Sequence, residues 1–292
     1  MTNVSKLIPY FKLTRAANIF TVVSNIAAAH IIALDGHITL EIIPLLIISA
    51  LLYHGGMALN DCLDVETDRL ENPDRPLPSN EISQTRAWSL VIVFFALAEI
   101  IAASMMSTTT LLLTTALVVM IVIYNRFVKS GIPGSMVMGS CRYLNWMLGL
   151  SVAPLAFYSW ITPIPILLYV TGLTILSKEE HSGANKTALL VCTILVLLAL
   201  GMIFVGSTNS IPQSWTAYIA ILLFAAWLIK PVTTCWKEFK KANIIHLMKT
   251  LILGIIPLDA IMVFSQGHYV AGILIALLLP ISLKAAKHLY VT

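Results

Sequence analysis

Three carboxylates close the second apolar stretch of this chain: Asp61, Asp64 and Asp68, within Asn60-Asp61-Cys62-Leu63-Asp64-Val65-Glu66-Thr67-Asp68-Arg69. Their i, i+3, i+7 spacing places all three on one face of a continuing helix. Like charges on one face repel unless a cation neutralises them, and hard oxygen donors of this kind suit Mg²⁺. That ion keeps several waters and is usually completed by substrate phosphates. Glu66 points to the opposite face. Directly afterwards come Glu71-Asn72-Pro73-Asp74-Arg75-Pro76-Leu77-Pro78, whose prolines cannot continue a helix. An ordered loop is therefore expected over the carboxylate face, with Arg75 placed to meet an acidic side chain or an oxyanion.

The elements that carry these residues are apolar. The 292 residues are 58% hydrophobic and 11% charged, with a mean hydropathy of +0.89. A soluble surface needs roughly a quarter of its residues charged, so most of this exterior must face lipid. Ten runs are long enough to cross roughly 30 Å of hydrocarbon, near residues 16–34, 42–60, 87–105, 109–126, 134–154, 161–177, 187–206, 214–231, 245–264 and 269–287. No long linker divides them, and residues 1–292 read as one transmembrane domain. Met1 to Arg15 shows no cleavage site after a short apolar core. The four cysteines lack the spacing of a zinc site or a disulfide framework.

Charge supports the even count. With ten spans, every Lys and Arg except Arg142 falls on one side, and the opposite connections carry none. Short loops rich in Lys and Arg stay cytoplasmic, so both termini and the aspartate face are expected there. The basic residues sit in loops and imply no nucleic acid. Glu99 and Asp259 fall inside spans, where a charge costs several kcal/mol, so each needs a partner. Arg142 also lies inside a span, in Gly139-Ser140-Cys141-Arg142-Tyr143-Leu144-Asn145, and should face a cavity or a partner. A diphosphate is such a partner, because guanidinium can bind its oxygens in bidentate fashion. Asn145 lies one turn later on the same face.

The run Asn60-Asp-x-x-Asp64-x-x-x-Asp68, followed by Asn72-x-x-Arg75-Pro76-Leu77-Pro78, resembles the first aspartate-rich motif of the UbiA superfamily of intramembrane prenyltransferases. The resemblance implies an all-α polytopic bundle of about nine to ten helices around a central cavity. It implies Mg²⁺ on Asp61, Asp64 and Asp68, holding the pyrophosphate of an isoprenyl diphosphate donor, and a small acceptor. Tyr124 and Lys129 resemble the family's Tyr/Lys pair near the diphosphate. Arg75, Lys129 and Arg142 would neutralise charge on the leaving group; Asn18 and Asn60 are candidate substrate contacts, with Asn25 at i+7 from Asn18. No residue is assigned as general base.

The chain departs from the family where a second aspartate series is usual. It reads Ser177-Lys178-Glu179-Glu180-His181-Ser182-Gly183-Ala184-Asn185-Lys186. Adjacent helical residues point about 100° apart, so at most one of Glu179 and Glu180 replaces a paired aspartate as a second-metal ligand. Lys178, Asn185 and Lys186 are candidate phosphate or acceptor contacts. This variant, with the Met138-to-Asn145 run, resembles the Ebo-type branch of the superfamily, which implies an acceptor other than a quinone precursor. A multi-pass protein of a bacterial inner membrane is expected. The competing readings are a multi-helix transporter and a non-catalytic member of the same fold.

Overall fold

A computed structural model describes residues 3–178, 186–208 and 215–290. Among them the chain is helical and contains no strand. In chain order the helices are α1 (Asn3–Leu13), α2 (Phe20–Ala33), α3 (Ile42–Glu71), α4 (Gln84–Met105), α5 (Thr108–Arg126), α6 (Gly131–Leu150) and α7 (Phe157–Ile161). They continue with α8 (Ile164–Ser177), α9 (Lys186–Thr208), α10 (Trp215–Lys237), α11 (Lys241–Leu253), α12 (Ile255–Ser265), α13 (Tyr269–Ala276) and α14 (Leu278–Tyr290).

Every one of the ten apolar runs carries helix, but not all are single long rods. Seven described helical stretches are long and apolar enough to cross a membrane, and α2 and the Tyr269–Ala285 stretch are shorter. The first run is shortened because Ala16–Asn18 forms a 3₁₀ turn before α2 begins. The ninth run is divided at Gly254, between α11 and α12, and the last is divided at Leu277. Helix α6 has 20 residues but is diluted by Gly, Ser, Arg142 and Asn145; it lies in the interior, with Trp146, Met147 and Leu148 fully buried.

Close approach to neighbours fixes α6. A Cβ added to Gly139 would stand 2.2 Å from Thr171 Oγ1 and 2.7 Å from the Leu167 carbonyl of α8. One added to Gly149 would stand 2.5 Å from Ala29 Cβ of α2. Small residues let backbones meet in this way where lipid supplies no hydrophobic drive between helices. The two glycines clamp the segment carrying Arg142 and Asn145 between α8 and α2.

Helix α3 has 30 residues, about 45 Å at 1.5 Å per residue. Its last turns therefore run past the span that roughly 30 Å of hydrocarbon needs, and these turns carry the aspartates. The helix stops at Asn72, ahead of Pro73, and the chain folds back tightly. Arg75 N–H donates to the Asn72 carbonyl at 3.1 Å and Ile82 N–H to the Pro76 carbonyl at 3.0 Å. Ser83 then caps α4, accepting from Arg86 N–H.

Candidate active site

The aspartate face is continuous on α3, as its spacing requires. Asp61 and Asp68 are each 4% exposed, Asp64 is half-buried, and Glu66 is exposed and pairs outward with Arg69 at 2.9 Å. Each inward carboxylate meets a cation from a different part of the chain. Arg75, on the returning loop, donates to Asp68 Oδ2 at 2.6 Å and lies 3.8 Å from Asp61 Oδ1. Arg15 donates to Asp61 Oδ1 at 3.4 Å from the segment before α2. Lys129, in the turn between α5 and α6, pairs with Asp64. Asn60 Nδ2 spans two of the acids, at 3.3 Å from Asp61 Oδ1 and 3.1 Å from Asp64 Oδ2. Asn72 Nδ2 donates to Asp68 Oδ1 at 3.1 Å.

Three acids and three cations thus neutralise one another. The cations are long side chains, each about a third exposed. No set of three or more His, Cys, Asp or Glu side chains among the described residues is gathered tightly enough to hold a metal unaided. The donor set nevertheless suits Mg²⁺, which takes one or two carboxylates and leaves the remaining positions to phosphate oxygens and water.

Arg15 and Asn60, which both bond Asp61, also line a cavity of about 160 Å³ between α2, α3, α5 and α6, so the aspartates stand beside this cavity and behind two of its wall residues. Arg15, Asn60, Tyr124 and Asn125 form its mouth, while Tyr53, Arg142, Ser49 and Asn145 lie deeper among Val22, Leu52, Leu117 and Met138. Tyr124, in the last turn of α5, and Asn60, next to Asp61 on α3, are therefore brought to the cavity beside the acids. Arg142 and Asn145 line the same cavity farther along. Arg142 Nη1 donates to the Thr21 carbonyl at 3.3 Å and to Asn25 Oδ1 at 3.1 Å, and Nη2 donates to Thr21 Oγ1 at 3.1 Å. Its guanidinium carbon stands 5.9 Å from the Tyr53 ring centre.

Several expected contacts fall elsewhere. Asn18 sits in the 3₁₀ turn, where its carbonyl accepts from Thr21 Oγ1 at 2.9 Å, and does not line the cavity. Asn25 is fully buried against Asp259 instead. Lys178 donates to the Gly131 carbonyl and, at 2.8 Å, to Ser135 Oγ at the start of α6; burial lowers its pKa. Lys186 reaches the Trp236 carbonyl at 3.3 Å. Glu179, Glu180 and Asn185 lie outside the described residues. His54 packs near Tyr53 and Phe94, with Nδ1 3.1 Å from the Thr14 carbonyl.

Arg15, Asn125, Tyr53 and Ser49 are cavity residues that sequence spacing does not single out. Arg15 looks like one more basic residue of a charged N-terminal run. Its structural signature is a left-handed backbone, φ 47°, which a non-glycine residue seldom adopts and which clusters at functional sites.

The profile described as the UbiA prenyltransferase family matches residues 21–253. The digeranylgeranylglyceryl phosphate synthase of Sulfurisphaera tokodaii is 27% identical over 252 residues, covering 85% of this chain and 84% of that protein. The synthase of the same name from Metallosphaera sedula is 30% identical over 186 residues, covering 60% of this chain and 61% of its own. In fold, the chain resembles a solved digeranylgeranylglyceryl phosphate synthase in membranes with a TM-score of 0.69 at 20% identity, covering 90% of this chain and 99% of that one. It also resembles a UbiA homologue from Archaeoglobus fulgidus bound to DMAPP and Mg²⁺, with a TM-score of 0.54 at 17% identity, covering 91% and 98%.

Proposed function

We propose an intramembrane alkyl transfer for this chain, which belongs to the UbiA prenyltransferase family: it moves an isoprenyl group from an isoprenyl diphosphate to a small acceptor, using Mg²⁺. The observation that carries this reading is the ring of Asp61, Asp64 and Asp68 with Arg15, Arg75 and Lys129 at the mouth of an apolar cavity. Polar groups gathered at one end of the helices, together with the family match, set the transporter alternative aside.

The chemistry follows from an exchange of partners. Asp61, Asp64 and Asp68 would hold Mg²⁺, which supplies charge neutralisation on the diphosphate oxygens. Carboxylates engaged with the ion would leave Arg15, Arg75 and Lys129, which now pair with Asp61, Asp68 and Asp64, free to meet the phosphate oxygens. In the reaction the C1–O bond to the diphosphate breaks and the diphosphate leaves with the electron pair. The acceptor's nucleophilic atom bonds to C1, and its proton passes to the departing diphosphate or to water. Apolar walls such as Leu117, Ile121 and Met138 keep water from the allylic carbon as its charge develops.

The Asp face is placed at the cytoplasmic side of an integral membrane protein, supported by the one-sided Lys and Arg. The Ebo-type branch and a bacterial inner membrane belong to this proposal on the strength of the Met138–Asn145 run and the Glu179-Glu180 variant; the relatives compared above are archaeal. One of those glutamates is assigned to a second ion, and residues 1–292 to one functional unit.

The test is turnover of purified protein with isoprenyl diphosphates of several chain lengths and membrane extract as acceptor source, with lipid products read by mass spectrometry. Prenylated product should form with Mg²⁺ and disappear with EDTA. Glu179→Gln with Glu180→Gln should raise the Mg²⁺ concentration for half-maximal rate. Metal-independent turnover, or no product with any donor, would overturn the reading.

A further inference from the structure

Lys129 reaches Asp64 from a turn that is built with little slack. After α5 ends at Arg126, the N–H groups of Phe127 and Val128 both donate to the Ile123 carbonyl at 3.0 Å. Gly131 opens α6 in the left-handed region, φ 65°, where a Cβ would strain the backbone. Gly134 then packs against the peptide of Lys129 itself. A Cβ added there would stand 2.6 Å from the Val128 carbonyl oxygen and 2.7 Å from that of Lys129. Ser130, at the N-cap of α6, makes no side-chain capping bond. The bonds that reach this first turn from another helix come from Lys178.

Lys178 is the C-cap residue of α8. Its Nζ donates to the Gly131 carbonyl and, at 2.8 Å, to Ser135 Oγ. Ser135 is fully buried, and its hydroxyl donates to the same Gly131 carbonyl at 3.2 Å. One turn deeper, Gly139 of α6 lies against Thr171 and the Leu167 carbonyl of α8. The two helices pass antiparallel, so this close approach brings the start of α6 to the end of α8. Charge pairing does not account for the place of the ammonium. No acid among the described residues pairs with it, and the positive end of the α6 dipole opposes a cation there. Two directed bonds from a charged donor, which are the strong kind, do account for it.

From this we infer that Lys178 is a positioning residue: it clamps the start of α6 to the end of α8 and so fixes the turn from which Lys129 meets Asp64. Lys178 then acts through Lys129 and is not a phosphate contact of its own. Fixing the backbone at Lys129 limits where its flexible side chain can carry the charge, which leaves less ordering to be done when a ligand binds. The inference rests on the prenyl-transfer reading for the diphosphate that Lys129 would meet, and on geometry alone for the clamp.

The probe is inorganic pyrophosphate with Mg²⁺, titrated by calorimetry into detergent-purified wild type, Lys178→Met, Lys129→Met and the double variant. Hydrogen exchange of the backbone amides in residues 127–135 is followed on the same proteins without ligand. Lys178→Met should weaken pyrophosphate binding about tenfold, within the range of one lost charge-assisted hydrogen bond. It should also speed exchange several-fold in that stretch. Lys178→Arg keeps a charged donor and should recover most of both. The double variant should bind no more weakly than Lys129→Met alone, because a support acts only through what it supports.

Unchanged exchange in Lys178→Met overturns the clamp. Losses that multiply in the double variant overturn the positioning role, since Lys178 would then meet the phosphate itself. Ser135→Ala removes one of the two acceptors and leaves every charge in place, so it should move both readouts the same way by less. It decides the matter if Lys178→Met does not fold. Failure of wild type to bind pyrophosphate would sink the transfer reading, while the exchange measurement, which needs no ligand, still decides the clamp.

Discussion

Asp61 and Asp259 are both buried acids on apolar helices, and the chain treats them in opposite ways. Asp61 lies in the last third of an overlong helix, and its charge is met by Arg15 and Arg75, which are charged and partly solvated. Asp259 is 0% exposed and accepts from neutral donors alone: Ser24 Oγ at 2.6 Å, Asn25 Nδ2 at 2.8 Å and Trp146 Nε1 at 3.0 Å. Those donors come from α2 and α6, so Asp259 ties three helices together. Partners that can leave mark a place where something else can bind; partners that cannot leave mark a joint.

Matched substitutions put this contrast under strain. Asp61→Asn removes the charge that calls in the metal, and turnover should fall by about 10²–10³-fold or more, the loss typical of removing a strong electrostatic contact to the reacting charge. The purified variant should keep its melting temperature within a few degrees. If it kept near wild-type turnover, the mouth would be a structural ion-pair cluster like any other. Asp259→Asn places an amide nitrogen among donors, leaving buried N–H or O–H groups unpaired at a cost of about 1–3 kcal/mol. A clear fall in melting temperature in detergent is expected, with a smaller effect on turnover of the folded fraction. An unchanged melting temperature would break the comparison from the other side. The smallest effect is expected at Arg69, whose pair with Glu66 is exposed: Arg69→Ala should alter neither turnover beyond twofold nor melting temperature, because solvated pairs contribute little. Any large loss there would extend the active site to the outer face of α3.

What could be read from the sequence follows from how far apart the partners lie. The aspartate face needs only helical periodicity within one element, and Arg75 lies a short Pro-rich turn away; both were visible. The need of Glu99 for a partner was visible too, but not its identity, which is Thr115 Oγ1 at 3.0 Å on the next helix. Arg15 meets Asp61 across 46 positions and Asp259 meets Ser24 across 235. No local pattern encodes such pairings, so the third cation of the mouth and the three-helix joint emerged only with the fold. Arg142 was conspicuous as a cation inside a span, while its anchoring by Thr21 and Asn25 was not. The even number of apolar runs survived as helical segments, but breaks at Gly254 and Leu277 needed the packing to appear.

The length of α3 has a consequence at the level of the lipid. Because one continuous rod carries both the deep cavity wall at Ser49 and the aspartates beyond it, the height of the charged mouth above the hydrocarbon is set by that rod and not by a hinge. A thicker bilayer would draw the mouth toward the acyl chains and a thinner one would lift it clear, each at a cost of fractions of a kcal/mol per ångström of mismatch. The thickness of the surrounding bilayer thereby sets how far the charged mouth stands from the acyl chains.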